Sequence, residues 1–243
     1  MPSTRPLSTR AVPPRERLIA ALDVPSPEAA RHLVRALGDA VCFYKLGLEL
    51  LVGEGCFALV DELVDEGKKV FLDLKLHDIP ETVARSVRRV RTSGATFATV
   101  HYGERLLEAA CREAAGEIGI LAVTLLTSID RTDLRDLGYP SAIGPEDLVV
   151  GRARRAQELG CAGVVASSLE APRIRAAAGE KLAIVTPGIR PAETADDQRR
   201  VATPRDAFEA GADYIVVGRP IRDAADPRAS ALAIQDAIAE LFS

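Results

Sequence analysis

The sequence has no uninterrupted apolar run near the roughly 18 residues that a membrane helix needs, so a spanning protein is not expected. It also has no surplus of positive charge. Lys and Arg total 31 against 35 Asp and Glu, a net charge of −4, which removes the electrostatic reason to expect nucleic acid. Cysteine is scarce and scattered. Cys42, Cys56, Cys111 and Cys161 lie far apart, mostly within apolar runs. That pattern fits buried reduced thiols in a cytosolic protein better than a disulfide framework or a zinc site. The first sixteen residues carry Arg5, Arg10 and Arg15 but no apolar stretch, so a secretory signal is not expected. Lysine is rare. Only Lys45, Lys68, Lys69, Lys75 and Lys181 stand among the 31 basic residues, so a lysine inside an apolar strand needs a reason.

What is present suits one large α/β domain: 243 residues, 47% apolar and 27% charged. Residues 1–16 are rich in Pro, Ser, Thr and Arg without periodicity, and a disordered extension is expected there. An organelle transit peptide would share the Arg and Ser content, but four prolines oppose its amphipathic helix. Residues 17–243 are expected to form a single catalytic domain.

From residue 17 a two-part unit repeats. Short β-rich runs cover 18–22, 41–46, 69–74, 95–100, 118–125, 161–166, 182–185 and 214–217. Segments with helical spacing lie between them, such as 26–37, 80–91, 104–115, 145–159 and 204–210. Ser26-Pro27-Glu28 reads as an N-cap, a first-turn proline and a first-turn acid, and Thr203-Pro204 repeats the device. Eight strands alternating with helices predict a (β/α)8 TIM barrel. A doubly wound open sheet is the alternative, but no G-x-G-x-x-G follows the first strand.

A barrel of this kind gathers its site where the strands end. Asp23, Lys45 and the run Asp73-Leu74-Lys75-Leu76-His77-Asp78 occupy the first three ends. Strand parity puts Phe71, Asp73 and Lys75 on one face and Leu72, Leu74 and Leu76 on the other. If the leucines pack on the helices, Asp73 and Lys75 enter the mouth, where they should pair. A fold-stabilising ion pair is the plainer reading. The presence of Lys45 and Asp23 at the same height favours a built site. Asp78, just past the strand, can reach this site or a neighbouring subunit. Thr186-Pro187-Gly188-Ile189-Arg190-Pro191 and Val217-Gly218-Arg219 stand where barrels often hold phosphate. Gly188 and Gly218 permit close backbone approach, and Arg219 can fork onto phosphate oxygens. The polar stretch 191–200 is a candidate lid, with Gln198 as a neutral donor.

These segments, together with Leu22-Asp23-Val24, Tyr44-Lys45-Leu46-Gly47, Leu76-His77-Asp78-Ile79-Pro80, Asp197-Gln198-Arg199-Arg200 and Tyr214–Pro220, resemble the bacterial orotidine 5′-phosphate decarboxylase family from about residue 17 onward. The D-x-K-x-x-D element alone is shared with related barrels that act on sugar phosphates. The resemblance implies conversion of orotidine 5′-monophosphate to uridine 5′-monophosphate and carbon dioxide in pyrimidine synthesis, with no metal and no organic cofactor. By position it implies Lys75 as proton donor to C6 and Asp73 beside the departing carboxylate. Lys45 completes the charge array with a ribose contact, and Asp23 binds ribose hydroxyls. Asp78 and Thr82 would face the site of a partner subunit in a cytoplasmic homodimer. Thr127 would lie near the pyrimidine, with Thr124 and Ser128 as alternatives. Pro187, Arg190 and Gln198 fall in the lid region, and Gly218 and Arg219 hold phosphate. His77 is expected to have a structural hydrogen-bonding role, and His101 is unassigned. The rival readings are a metal-assisted sugar-phosphate decarboxylase or aldolase on the same barrel, and a non-catalytic sensor of nucleotide phosphate.

Overall fold

The computed structural model describes residues 8–190 and 202–242. Eight parallel strands close into a barrel in chain order: β1 (Leu18–Ala21), β2 (Phe43–Leu46), β3 (Lys69–Leu76), β4 (Phe97–His101), β5 (Gly119–Val123), β6 (Gly163–Val165), β7 (Ala183–Thr186) and β8 (Tyr214–Val217). Each overlaps the apolar run expected to form it. Pairing of Leu18, Ile19 and Ala20 with Ile215, Val216 and Val217 closes the ring and excludes the open sheet.

Helices cover the outside, and their starts follow the local chemistry. The helix Pro27–Leu37 begins at Ser26, whose hydroxyl accepts the Ala29 N–H at 3.2 Å. The helix Pro204–Glu209 begins with a reciprocal box between Thr203 and Asp206. The helix Pro80–Arg91 buries Val83, Ala84, Val87 and Val90, one stripe at helical spacing. Among the described residues, no helix is long and apolar enough to cross a membrane.

Alternation along the strands creates two cores. Outward residues such as Leu18, Tyr44, Leu72, Ala98 and Ile215 pack under the helices. Inward residues such as Ile19, Phe43, Phe71, Phe97, Tyr214 and Val216 fill the barrel. Phe97 is central: its ring lies 5.7 Å from Phe43 and 5.5 Å from Tyr214. Space for it comes from Gly119, where a Cβ would sit 2.7 Å from the Phe97 ring.

The expected disorder over residues 1–16 is corrected for residues 8–16, which dock on the barrel face where the strands begin. Val12 is buried against the inner core. The Thr9 N–H donates to Glu180 at 2.9 Å, and Arg10 Nη1 donates to the Lys181 carbonyl at 3.0 Å. Ser8 donates to Asp213, a fully buried carboxylate that also accepts from Arg175 at 2.8 Å and from the Ile184 N–H at 2.8 Å. Composition shows the lack of periodicity but not these distant partners, which hold a segment whose regular structure is one 3-10 turn, Pro14–Glu16.

Candidate active site

Parity brings the charges to one end. Lys45 follows inward Phe43 by two positions on β2, and Asp73 follows inward Phe71 by two on β3. Both are only 9% exposed. Lys45 Nζ lies 2.8 Å from Asp23 Oδ1 and 3.7 Å from Asp73 Oδ2, and Lys75 Nζ lies 2.7 Å from that same Asp73 oxygen. The result is an alternating row, Asp23–Lys45–Asp73–Lys75, across three strand ends. Each buried charge has an opposite neighbour, as burial demands.

Simple alternation does not place Lys75. Between the pairs Leu72–Ala98 and Leu76–Val100, β3 advances four residues while β4 advances two. Lys75 sits in this bulge with a left-handed φ of 47°. A residue with a Cβ pays roughly 1–2 kcal/mol for that conformation. Thr99, fully buried on β4, accommodates it. Its hydroxyl accepts the Lys75 N–H at 2.9 Å and donates to Asp73 Oδ1 at 2.9 Å. One side chain thus fixes both the backbone carrying the ammonium and the carboxylate facing it.

Gly47 matters for the opposite end of the row. A Cβ there would lie 2.8 Å from Asp23 Oδ1 and 2.9 Å from Lys45 Nζ. A methyl there would press on both ends of this ion pair and oblige one of them to shift.

The first three members of the row border a cavity of about 280 Å³, and Lys75 stands behind Asp73 outside its lining. Asp23, Lys45 and Asp73 line one side; Pro187, Arg190, Gly218 and Arg219 line the other; Ala21 and Val216 lie beneath. Gly188 needs its glycine, since its φ is 78°. Arg190 is largely buried, and its N–H donates to the Ala202 carbonyl at 2.9 Å beside the cavity. The lid expected over 191–200, with Gln198, lies outside the described residues.

Asp78, Thr82 and Thr127 do not line this cavity. Asp78 is exposed, and its carboxylate accepts the N–H of Ile79 at 2.7 Å. Thr82 is half-buried on the helix Pro80–Arg91, and Thr127 occupies a turn after β5. Thr124 is buried and lines a separate cavity of about 170 Å³ with His101 and Arg152, while Ser128 is exposed. His77 packs against His101, ring centroids 5.3 Å apart. Burial pushes the His101 imidazole below its ordinary pKa, helped by nearby His77 and Lys75 and opposed by Asp73.

Sequence reasoning missed Thr99 and Arg222. Thr99 is two positions after inward Phe97 on β4, so parity along that strand could have found it. Arg222 lines the cavity one helical turn after Arg219. It donates to the Asp23 carbonyl at 2.8 Å and forks onto Asp223 at 2.6 and 2.9 Å, tying the β8 end to the β1 end.

Comparison with known proteins then decides the family. The sequence pattern of the Orotidine 5′-phosphate decarboxylase / HUMPS family matches residues 16–234. The chain belongs to this family. A Methylococcus capsulatus protein named orotidine 5′-phosphate decarboxylase is 54% identical over 239 residues, covering 98% of each chain. One of the same name from Rhodopseudomonas palustris (strain HaA2) is 53% identical, covering 93% of this chain and 96% of its own. Among solved structures, the orotidine 5′-phosphate decarboxylase of Lactobacillus acidophilus superposes with a TM-score of 0.81 at 34% identity, covering 94% of this chain and 100% of that one. The likeness to the orotidine 5′-phosphate decarboxylase / HUMPS family therefore spans both the barrel and the charged row at its mouth.

Proposed function

We infer that this protein is an orotidine 5′-phosphate decarboxylase, converting orotidine 5′-monophosphate to uridine 5′-monophosphate and carbon dioxide in pyrimidine synthesis. The observation that carries this reading is that Asp23, Lys45 and Asp73, the last paired with Lys75 at 2.7 Å, line the same cavity as Gly218 and Arg219. One side offers a fixed ammonium beside a carboxylate; the other offers a guanidinium for a phosphate.

The chemistry follows from that division. Loss of carbon dioxide from C6 leaves an electron pair in the ring plane, where the π system cannot delocalise it. A preorganised cation can stabilise it without solvent reorganisation. Lys75 fills this role and then delivers its proton to C6. Asp73 orients Lys75 and stands beside the departing carboxylate. Charges about 4 Å apart interact by roughly 4 kcal/mol at an effective dielectric near 20. One lysine is therefore insufficient, and binding energy from the phosphate and ribose must contribute. Arg219 and Gly218 hold the phosphate with Pro187, Arg190 and Gln198, while Asp23 and Lys45 hold the ribose. Thr127, in the turn after β5 and outside the lining of this cavity, is assigned to the pyrimidine end of the substrate on the family resemblance alone. No metal or organic cofactor enters these steps.

Asp78 and Thr82 serve the site of a partner subunit in a homodimer. Their position away from this chain's own cavity, next to exposed Ile79, supports that assignment. A cytoplasmic location suits a biosynthetic enzyme with this substrate.

The test is incubation with orotidine 5′-monophosphate plus a chelator, following substrate absorbance and product. Turnover that survives the chelator is expected. Turnover that vanishes would favour the metal-assisted sugar-phosphate chemistry of related barrels. The Lys75→Ala variant should lose decarboxylation while still binding uridine 5′-monophosphate, and near-normal turnover would remove Lys75 from the donor role.

A further inference from the structure

Two cysteines stand together at the end of the barrel opposite the cavity. Cys111 lies near the C-terminal end of the helix Glu104–Ala114, and Cys161 lies two residues before β6. The helix follows β4 and runs back along the barrel, so both residues belong to the face where the strands begin. Their sulfurs are 3.5 Å apart. A disulfide bond needs about 2.05 Å, so a combined shift of about 1.5 Å would join them. The backbones already pack closely: a Cβ at Gly160 would lie 4.0 Å from the Cys111 Cβ. Cys161 is only 7% exposed, whereas Cys111 is partly open to solvent.

We propose that Cys111 and Cys161 form a redox-modifiable dithiol that a small-molecule disulfide closes into an intramolecular bridge. The exposed partner reacts first. Cys111 thiolate attacks one sulfur of the small disulfide, forming a mixed disulfide and releasing one thiolate. Cys161 then attacks the Cys111 sulfur, its proton leaving with the second small thiol. Two protein thiols are oxidised, one small disulfide is reduced, and two small thiols leave.

The surroundings favour this order. A hydrogen bond from Cys161 holds the Cys111 thiol below its ordinary pKa against the effect of burial, and the same bond together with burial pushes Cys161 up. Cys42, also partly exposed, has its thiol pushed up by burial. Thiolate supply therefore selects Cys111 over Cys42. The bridge would tie the β4 helix to the start of β6 and close a long loop, which restricts the unfolded chain. It lies on the face of a barrel that governs stability rather than chemistry.

The experiment treats the folded full-length protein with oxidised glutathione and maps peptides without reduction. A single link between the peptides of residues 111 and 161 is expected, with Cys42 and Cys56 still free. The melting temperature should rise by about 4 °C or more and fall back with dithiothreitol. Decarboxylase turnover should change less than twofold. The Cys161→Ala variant should trap glutathione on Cys111, and Cys111→Ser should show neither adduct nor link. The proposal is overturned if all four thiols survive native treatment and link only in denaturant. A glutathione adduct on wild-type Cys111 that Cys161 never displaces, or reaction of Cys42 ahead of Cys111, overturns it equally.

Discussion

At the scale of single residues, the site depends on groups that chemistry-based reading passes over. Gly47 bears no functional group, yet the Asp23–Lys45 contact at 2.8 Å occupies space that a side chain at residue 47 would crowd. In Gly47→Ala the new methyl would force these two side chains apart. A fall in kcat/KM of about tenfold or more is expected, corresponding to one charged contact of about 1.4 kcal/mol. An unaltered kcat/KM would mean that the pair can re-form elsewhere. His101 makes a different prediction. Its folded pKa lies below the unfolded value of about 6.5, so the unfolded chain binds the proton first as pH falls. The stability held by the neutral ring is complete above about pH 6.5 and is lost as pH drops through the folded pKa. His101→Gln should flatten the acid side of a melting-temperature profile; an identical profile would count against this linkage.

At the scale of elements, β3 shows both the reach and the limit of pattern reading. Alternation correctly separates Phe71 and Asp73 from Leu72. It also puts Lys75 beside Asp73, but the actual route is a bulge with a left-handed lysine. A two-residue excess against β4 is a property of the pair of strands, so β3 alone carries no sign of it. Thr99 is the partner that sustains it. Thr99→Val keeps the shape but removes the acceptor for the Lys75 N–H and the donor to Asp73. Leaving these buried groups unmet costs about 1–3 kcal/mol. The variant should melt lower and, with Lys75 as the proposed proton donor, lose kcat more than it raises KM, because the Lys75 ammonium loses its alignment. A loss confined to stability would show that Lys75 holds its position without Thr99. The helix starts were easier to read, since Ser26 and Thr203 cap through neighbours three residues away.

At the scale of the whole molecule, the two ends of the barrel do different work. The charged row and the cavity occupy one end, while the docked residues 8–16 and the buried Asp213 occupy the other. Asp213→Ala would take the buried counter-charge from Arg175, itself 7% exposed, leaving it the carbonyls of Gly179, Leu182 and Gly211 and the more distant Glu180, and would orphan the Ile184 N–H. Removing one partner of a buried pair costs about 3–5 kcal/mol. A drop in melting temperature on the order of 10 °C is expected, with little change in kcat at low temperature. An equal loss of kcat would contradict this separation of the two ends.

The amino-acid order alone determined the eight strands, the helix caps and the placement of Asp23, Lys45, Asp73, Gly218 and Arg219 where strands end, because these depend on neighbours two to four positions away and on where a strand stops. Only the tertiary structure decided the left-handed Lys75, the role of Thr99, the space left at Gly47 and the docking of residues 8–16. Each of those is fixed by a group distant in the chain, brought within hydrogen-bonding or van der Waals range only once the barrel closes.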